Sequence, residues 1–390
     1  MRPITIRSIE LYPAALMLVE RLRTSFGEEP FKACILVRLE TDEGYTGWGE
    51  CSAEIAPGYS PETMGTALHI LEEFLIPALL GKRVSSPTEV PGLLEGVRGH
   101  PLAKHSVEAA VWDAHAQANG WSLADAFAVH LPQRPQPRGY ATVGVSIGIQ
   151  PSIDATLEII ARRLRQGYGR IKLKIKPGWD VELARAVRSA YPDILLMLDA
   201  NSAYTLADAD HLRALDDFNL LMLEQPLGHD DIYQHSKLQP QLQTPICLDE
   251  SILSADDARL ALELGACRII NLKPARVGGY TESLAVYQVC VENQVPLWIG
   301  GLLETGIGRA ANLAFASLPG VTLPCDISAT DRYFNPDISE PPFILGANST
   351  IAAPAGPGIG VAVQMPRVEA AAQRWRDEMP YGKAGARRPV

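Results

Sequence analysis

No apolar run in the sequence approaches the ~20 residues that a membrane-spanning helix needs. The short apolar stretch Leu11 to Val19 follows Arg2 and Arg7, but Glu10 precedes it, Pro13 interrupts it and Glu20 closes it. No small-residue cleavage site comes after it, so a secretory leader is not expected either. Cysteine is sparse and unpatterned: Cys34, Cys51, Cys247, Cys267, Cys290 and Cys325 include no Cys-x-x-Cys pair. That excludes a zinc ribbon and a disulfide framework, and it fits reduced, buried thiols in a cytoplasmic protein. Positive charge is also short, with 35 Lys+Arg against 45 Asp+Glu and a formal net charge of −10. Nucleic acid and anionic membranes are therefore poor partners, and small molecules are better ones.

What the chain does have is an internal repeat. Five apolar runs each end in an ionisable residue: Lys174, Asp199, Glu224, Asp249 and Lys273, at steps of 24 to 25 residues. Such a period accommodates one strand, one crossover helix and two short loops, so the strands are expected to be parallel. Segments 204–215 and 254–264 carry apolar residues at helical spacing, the second opening on Ser254 as an N-cap. The same step onward reaches Trp298 and Leu323, and backward it reaches the β-branched run ending at Ile147. Eight parallel strands make a closed α/β barrel, with its active site at their C-terminal ends. Gly278-Gly279 and Gly306-x-Gly308 each follow a barrel strand, so they read as tight turns rather than phosphate cradles.

Ahead of the barrel, residues 1 to about 50 alternate like an antiparallel meander, with polar loops at Arg21 to Lys32 and Ala53 to Thr63 as lid candidates. Helices are expected over 62–80 and 104–119. The division that follows is an α+β domain over 1–135, a linker with Pro132, Pro135 and Pro137, and a barrel over 136–335. A segment over 336–375 returns to the first domain, and residues 376–390 form a tail. With 47% hydrophobic residues, 390 residues suffice for both cores.

Asp199, Glu224 and Asp249 end three successive strands, which puts three carboxylates side by side. Like charges repel there unless they are protonated or neutralised, and three oxygen donors without Cys or His specify a hard ion, Mg2+ first and Mn2+ as a substitute. Any one of them could equally be a solvated strand-end acid or a helix cap. Lys172 and Lys174 share one face of a strand, where an unpaired ammonium is costly unless it sits at a working rim. Lys172 is expected to press the pKa of Lys174 downward, although a plain ion pair with the acids is the alternative. Lys273 lies four strands on, across the mouth. Two amines flanking a cation suit proton abstraction from a carbon beside a carboxylate, with the enediolate charge stabilised; elimination and racemisation share that step.

The order Lys-x-Lys, Asp, Glu, Asp, Lys resembles that of the enolase superfamily, in its muconate lactonising group. None of the eight histidines falls at a strand end, and Trp298 stands where the mandelate racemase group has a His base. The phrases Leu198-Asp-Ala-Asn201, Leu223-Glu-Gln-Pro226, Asn271-Leu-Lys-Pro-Ala-Arg276 and Gly300-Gly-Leu-Leu-Glu304 are similar to the o-succinylbenzoate synthase / N-succinylamino acid racemase family. The resemblance implies a modified TIM barrel of the (β/α)7β type with an α+β capping domain, Mg2+ on Asp199, Glu224 and Asp249, and a homo-oligomer. It implies a menaquinone-pathway lyase that also racemises N-acylamino acids. Lys174 would be the base, Lys273 a cationic partner or second acid/base, and Lys172 a further catalytic lysine. Asn201, Arg276, Ser146, Gly301, Leu303, Tyr333, Tyr59 and Phe26 match substrate-contacting positions. Two departures stand out: Asp326-Ile327-Ser328 lacks the second acid of the epimerase Asp-x-Asp, and Val129-His130-Leu131-Pro132 replaces the family's Gly-Gly. Dipeptide epimerisation, muconate cycloisomerisation and a non-catalytic scaffold are the alternatives.

Overall fold

The computed structural model describes residues 1–24 and 27–378; Phe26 and residues 379–390 of the expected tail lie outside them. Strands β1 (Ile4–Thr24), β2 (Gly27–Thr41) and β3 (Thr46–Cys51), with the short β4 (Arg83–Val84), form an antiparallel sheet in the order β3-β2-β1-β4. The polar stretch expected to be a loop at Arg21 to Lys32 is mostly strand: pairing continues through Leu22↔Glu29 to Thr24↔Gly27. Once the apolar part of the ladder has formed, backbone bonding extends it through polar residues, because strand propensity depends on context.

Helix α1 (Met64–Ile70) runs through a π turn at Leu71–Leu75 into α2 (Ile76–Leu79). Pro77 follows that turn, and its missing N–H accounts for the break in the regular ladder. After α3 (Val90–Leu93), the long α4 (Pro101–Asn119) is buried on nearly all sides, as its Ala-rich sequence suggests. It lies directly on β3: a Cβ at Gly47 would sit 2.0 Å from the Ala110 carbonyl oxygen, so only glycine permits the approach. The domain closes with α5 (Leu123–Val129).

Beyond the proline linker, β5 (Tyr140–Thr142) precedes a parallel sheet of seven strands. These are β6 (Val145–Ile147), β7 (Arg170–Lys174), β8 (Leu195–Asp199), β9 (Leu223–Glu224), β10 (Ile246–Leu248), β11 (Ile269–Leu272) and β12 (Leu297–Ile299), adjacent in chain order. The helices between them are α6 (Ile153–Gln166), α7 (Val181–Ala190), α8 (Ala209–Arg213), α9 (Tyr233–Leu238), α10 (Ala255–Glu263), α11 (Tyr280–Glu292) and α12 (Gly306–Ala316). Ser254 caps α10 as expected, accepting from the Asp257 amide. The helix expected over 204–215 is broken: 3-10 turns at Leu206–Asp208 and Ala214–Phe218 leave α8 only five residues. Asp208 accepts from the Thr205 amide in a capping box at the first 3-10 turn, and Asp216, just beyond the expected helix, accepts from the amides of Gln243 and Thr244.

The eighth strand is also irregular. Pro324 removes one amide from the ladder, yet Thr322 and Asp326 donate to Leu297 and Ile299, and Cys325 donates to Thr142, each at 2.9 Å. Those bonds, with the Gly144 amide donating to the Cys325 carbonyl at 2.8 Å, close the ring between β12 and the chain running from β5 into β6. Arg138 in the linker donates to the carbonyls of Ala316 and Val321, both at 2.8 Å. Strands β13 (Ser339–Glu340), β14 (Thr350–Ala352) and β15 (Ala362–Val363) then form two small antiparallel pairs, β13 with β15 and β14 with β5. Helix α13 (Met365–Glu378) ends the described chain, so residues 376–378 continue a helix rather than beginning a tail. Its Trp375 packs into the core of the first domain, and Arg374 donates to the Ala15 carbonyl at 3.0 Å. All six cysteines are buried and free, and no helix among the described residues is long and apolar enough to cross a membrane.

Candidate active site

In β7, β8 and β9 the residues Lys174, Asp199 and Glu224 stand level, because the parallel register pairs Lys174 with Asp199 and Asp199 with Glu224. Asp249 and Lys273 are the first residues beyond β10 and β11. All three carboxylates are 1% exposed or less, deep at the C-terminal mouth. Lys174 Nζ donates to Asp199 Oδ2 and Asn201 Oδ1, both at 2.6 Å. Lys172 Nζ lies one layer deeper, 2.5 Å from Asp326 Oδ2, 3.0 Å from Glu224 Oε2 and 3.2 Å from Asp199 Oδ2. Asp199 thus pairs with both lysines, the ion pairing with the acids that is the alternative to like-charge repulsion between them.

Across the mouth, Lys273 Nζ donates to Asp249 Oδ2 at 2.8 Å and to the Tyr59 hydroxyl at 3.0 Å, and it lies 4.3 Å from the Tyr59 ring centroid. Tyr59 therefore does more than cover the mouth, because its loop reaches the ionic layer. Arg276 is fully engaged, pairing with Asp249 Oδ1 and donating to the carbonyls of Ile252 and Asn271 at 2.8 and 2.6 Å. Ser146 donates to Asp326 Oδ2 at 2.8 Å. Gly301, Leu303 and Tyr333 join Ser146, Lys172, Lys174 and Lys273 around a cavity of about 90 Å³, with Glu304 and Arg309 on the same wall. Asn201 and Leu303 hold φ angles of 42° and 58° at strand ends, left-handed backbone that costs on the order of 1–3 kcal/mol and tends to be kept at working sites.

The charges are unevenly shared. Burial, then the neighbouring Asp199, pushes Glu224 up to about 8. Burial would raise Asp199 too, but Lys174 and Lys172 override it and hold that carboxyl well below its usual range. Burial opposes the charge on Lys172, yet Asp326, Glu224 and Asp199 hold its pKa well above that of a free lysine. Glu250, pushed up to about 7 by burial and then by Asp249, keeps a buried Oε2 with no hydrogen-bond partner. As the side chains stand, no three His, Cys, Asp or Glu among the described residues are grouped to hold a metal ion; the acids are turned onto ammonium and guanidinium groups. The donor chemistry nevertheless fits a hard divalent cation. Three adjacent buried carboxylates supply oxygen donors only, Glu224 is driven toward its neutral form despite its cationic neighbours, and an orphaned Glu250 oxygen lies at their edge.

Sequence reasoning missed Asp326, Arg170 and Glu250 as parts of the site. Arg170, fully buried at the start of β7, donates to Asp326 Oδ1 at 2.6 Å. The signal was present: an arginine inside an apolar barrel strand requires a buried carboxylate, and Asp326 ends the eighth strand. His235 is fully buried and accepts from the Leu227 amide at 3.1 Å, bracing the loop after Glu224.

Residues 155–367 match the model of the enolase C-terminal domain-like family, and residues 11–127 match that of the mandelate racemase / muconate lactonizing enzyme N-terminal domain. An o-succinylbenzoate synthase of Geobacillus kaustophilus is 49% identical over 89% of this chain and 90% of its own length. An N-succinylamino acid racemase of Amycolatopsis sp. is 47% identical over 91% and 94%. The crystal structure of a member of the enolase superfamily from Enterococcus faecalis, described as unknown, superposes with a TM-score of 0.87 at 42% identity, covering 95% of this chain and 98% of that one. With both of its domains matched and close relatives spanning nearly its whole length, the chain belongs to the mandelate racemase / muconate lactonizing enzyme family of the enolase superfamily.

Proposed function

We propose that this protein is an o-succinylbenzoate synthase that also racemises N-succinylamino acids. The observation that carries the reading is the pair Lys174 and Lys273, which line one cavity from strands four apart in the barrel and are each bonded to a buried carboxylate, Asp199 and Asp249. Relatives 49% and 47% identical carry the names of the two activities. Members of the superfamily depend on Mg2+ in general. Asp199, Glu224 and Asp249 would hold Mg2+, with Mn2+ able to replace it, and the ion supplies charge neutralisation at the substrate carboxylate.

Lys174 removes the proton from the carbon beside that carboxylate, giving an enediolate. In the synthase reaction the C–O bond on the same face then breaks, and the Lys174 ammonium returns its proton to the departing hydroxyl, which leaves as water. In racemisation Lys273 delivers a proton to the opposite face, and the roles reverse for the other enantiomer. Asn201 orients Lys174, and Tyr59 with Asp249 orients Lys273. Ser146, Gly301, Leu303 and Tyr333 complete the wall, and Arg276, through Asp249, and Phe26 are further substrate-contacting residues. The departure at Ser328 weighs against an ammonium-bearing dipeptide substrate. We place the protein in the cytoplasm as a homo-oligomer acting in menaquinone synthesis.

The test is solvent proton exchange. Incubated in deuterated water with Mg2+ and N-succinyl-L-valine, the parent protein should exchange and epimerise the α-position. Lys174→Ala and Lys273→Ala should each lose racemisation by about 10²-fold or more, the usual scale of a positioned acid or base. Full activity in both variants would refute the two-lysine reading. Chelation should silence the parent, with Mg2+ or Mn2+ restoring it.

A further inference from the structure

Beneath the ammonium groups lies a buried ionic stack that the proton chemistry does not use. Arg170 and Lys172 are two apart on β7 and point the same way. Their guanidinium and ammonium stand 5.6 and 5.0 Å from the Trp298 ring centroid. Asp326 bridges them, with Oδ1 on Arg170 at 2.6 Å, and Oδ2 on Lys172 at 2.5 Å and on the Ser146 hydroxyl at 2.8 Å. The stack is built in: a Cβ at Gly144 would lie 2.3 Å from Arg170 Nε, so the backbone is stripped there to let the guanidinium pass.

We propose that Asp326 is a positioning residue that keeps Lys172 from pairing wholly with the metal-binding carboxylates and holds its ammonium at the edge of the cavity, where it meets the substrate carboxylate. The inference rests on the functional reading above and deepens it. Lys172 has three acidic partners, and two of them, Asp199 and Glu224, are the ones a cation would claim. Asp326 is then the only one of the three left to it, and because Arg170 clamps its other oxygen it cannot follow the ammonium elsewhere. Without Asp326, Lys172 would turn wholly onto Glu224 and Asp199 and compete with the cation.

The test is a double-mutant cycle read by Mg2+ calorimetry and by kcat and KM for N-succinyl-L-valine, with melting temperature as the folding control. Asp326→Asn should weaken Mg2+ binding about tenfold and raise KM. In a Lys172→Met background the same change should alter Mg2+ affinity less than about threefold, because no competing ammonium remains. Asp326→Glu, which keeps the charge, should recover much of the affinity. Should Asp326→Asn fail to fold, Ser146→Ala, which removes one bond from the same oxygen, should shift Mg2+ affinity in the same direction by a smaller factor. An undiminished effect in the Lys172→Met background, or unchanged Mg2+ affinity in a folded Asp326→Asn protein, overturns the positioning role. A parent protein that fails to bind Mg2+ at millimolar concentration instead overturns the functional reading itself.

Discussion

Tyr59 shows how one side chain couples two kinds of contact. Its hydroxyl accepts from Lys273 and donates to Asp249 Oδ1 at 3.3 Å, while its ring faces the same ammonium. Burial, then Asp249, pushes the phenol up to about 12, so it stays protonated at working pH. Tyr59→Phe keeps the ring, and a cation–π contact of about 0.5–2 kcal/mol with it, but removes the oxygen that aligns Nζ. Steady-state assays should show a several-fold drop in racemisation with the fold intact, and Tyr59→Ala should lose at least tenfold more. The level residues Lys174, Asp199 and Glu224 were legible in the sequence because the repeat places equivalent positions at equal height. Asp326 was signalled only indirectly, by the strand arginine that needs an acid, because Arg170 lies 156 residues away and only closure of the barrel joins the two.

Among the elements, the β1–β2 hairpin is bonded to the barrel domain as well as to its own sheet. Glu20 near its end pairs with Arg163 on α6 and, at 3.2 Å each, with Arg162 and Arg332, while the Val19 amide donates to the Tyr333 carbonyl at 2.9 Å. The hairpin is thereby tied to a residue that lines the cavity. Glu20→Ala leaves buried Arg163 without its carboxylate, which should lower the melting temperature by several degrees and raise KM more than it lowers kcat. Where local signals agreed, as in α10 with its Ser254 cap and apolar spacing, the sequence was read correctly. The segment over 204–215 had the spacing of a helix, but Asp216, immediately after it, is bonded to the amides of Gln243 and Thr244, and no local pattern reveals that distant attachment. The hairpin was misread for the complementary reason: its polar end pairs through backbone groups that side-chain patterns do not report.

At the scale of the whole molecule, the two domains are joined by buried carboxylates. Glu50 of β3 accepts from the amides of Thr305 and Gly308 at 3.0 and 3.1 Å and from the Thr305 hydroxyl at 2.6 Å, at the start of α12. Glu108 of α4 does the same for Thr281 at the start of α11, with the amide at 2.9 Å. Both are fully buried from water within the protein, and burial pushes each up to about 7 despite those donors. A carboxyl raised in the folded state adds stability that is complete below its unfolded value near 4.5 and is lost as pH rises through 7. Each shift corresponds to on the order of 3 kcal/mol. Melting temperatures of Glu108→Gln should therefore decline less than those of the parent between pH 5 and 8; an identical slope would count against this account.

The same two residues limit how freely this protein could be recombined. The amides they satisfy belong to barrel helices that flank the cavity wall, while the carboxylates arrive from the other domain. A first domain borrowed from a relative to change substrate preference would have to bring acids to positions 50 and 108, or leave α11 and α12 with open ends beside the chemistry. The capping domain is not an interchangeable cartridge; it finishes the barrel it covers.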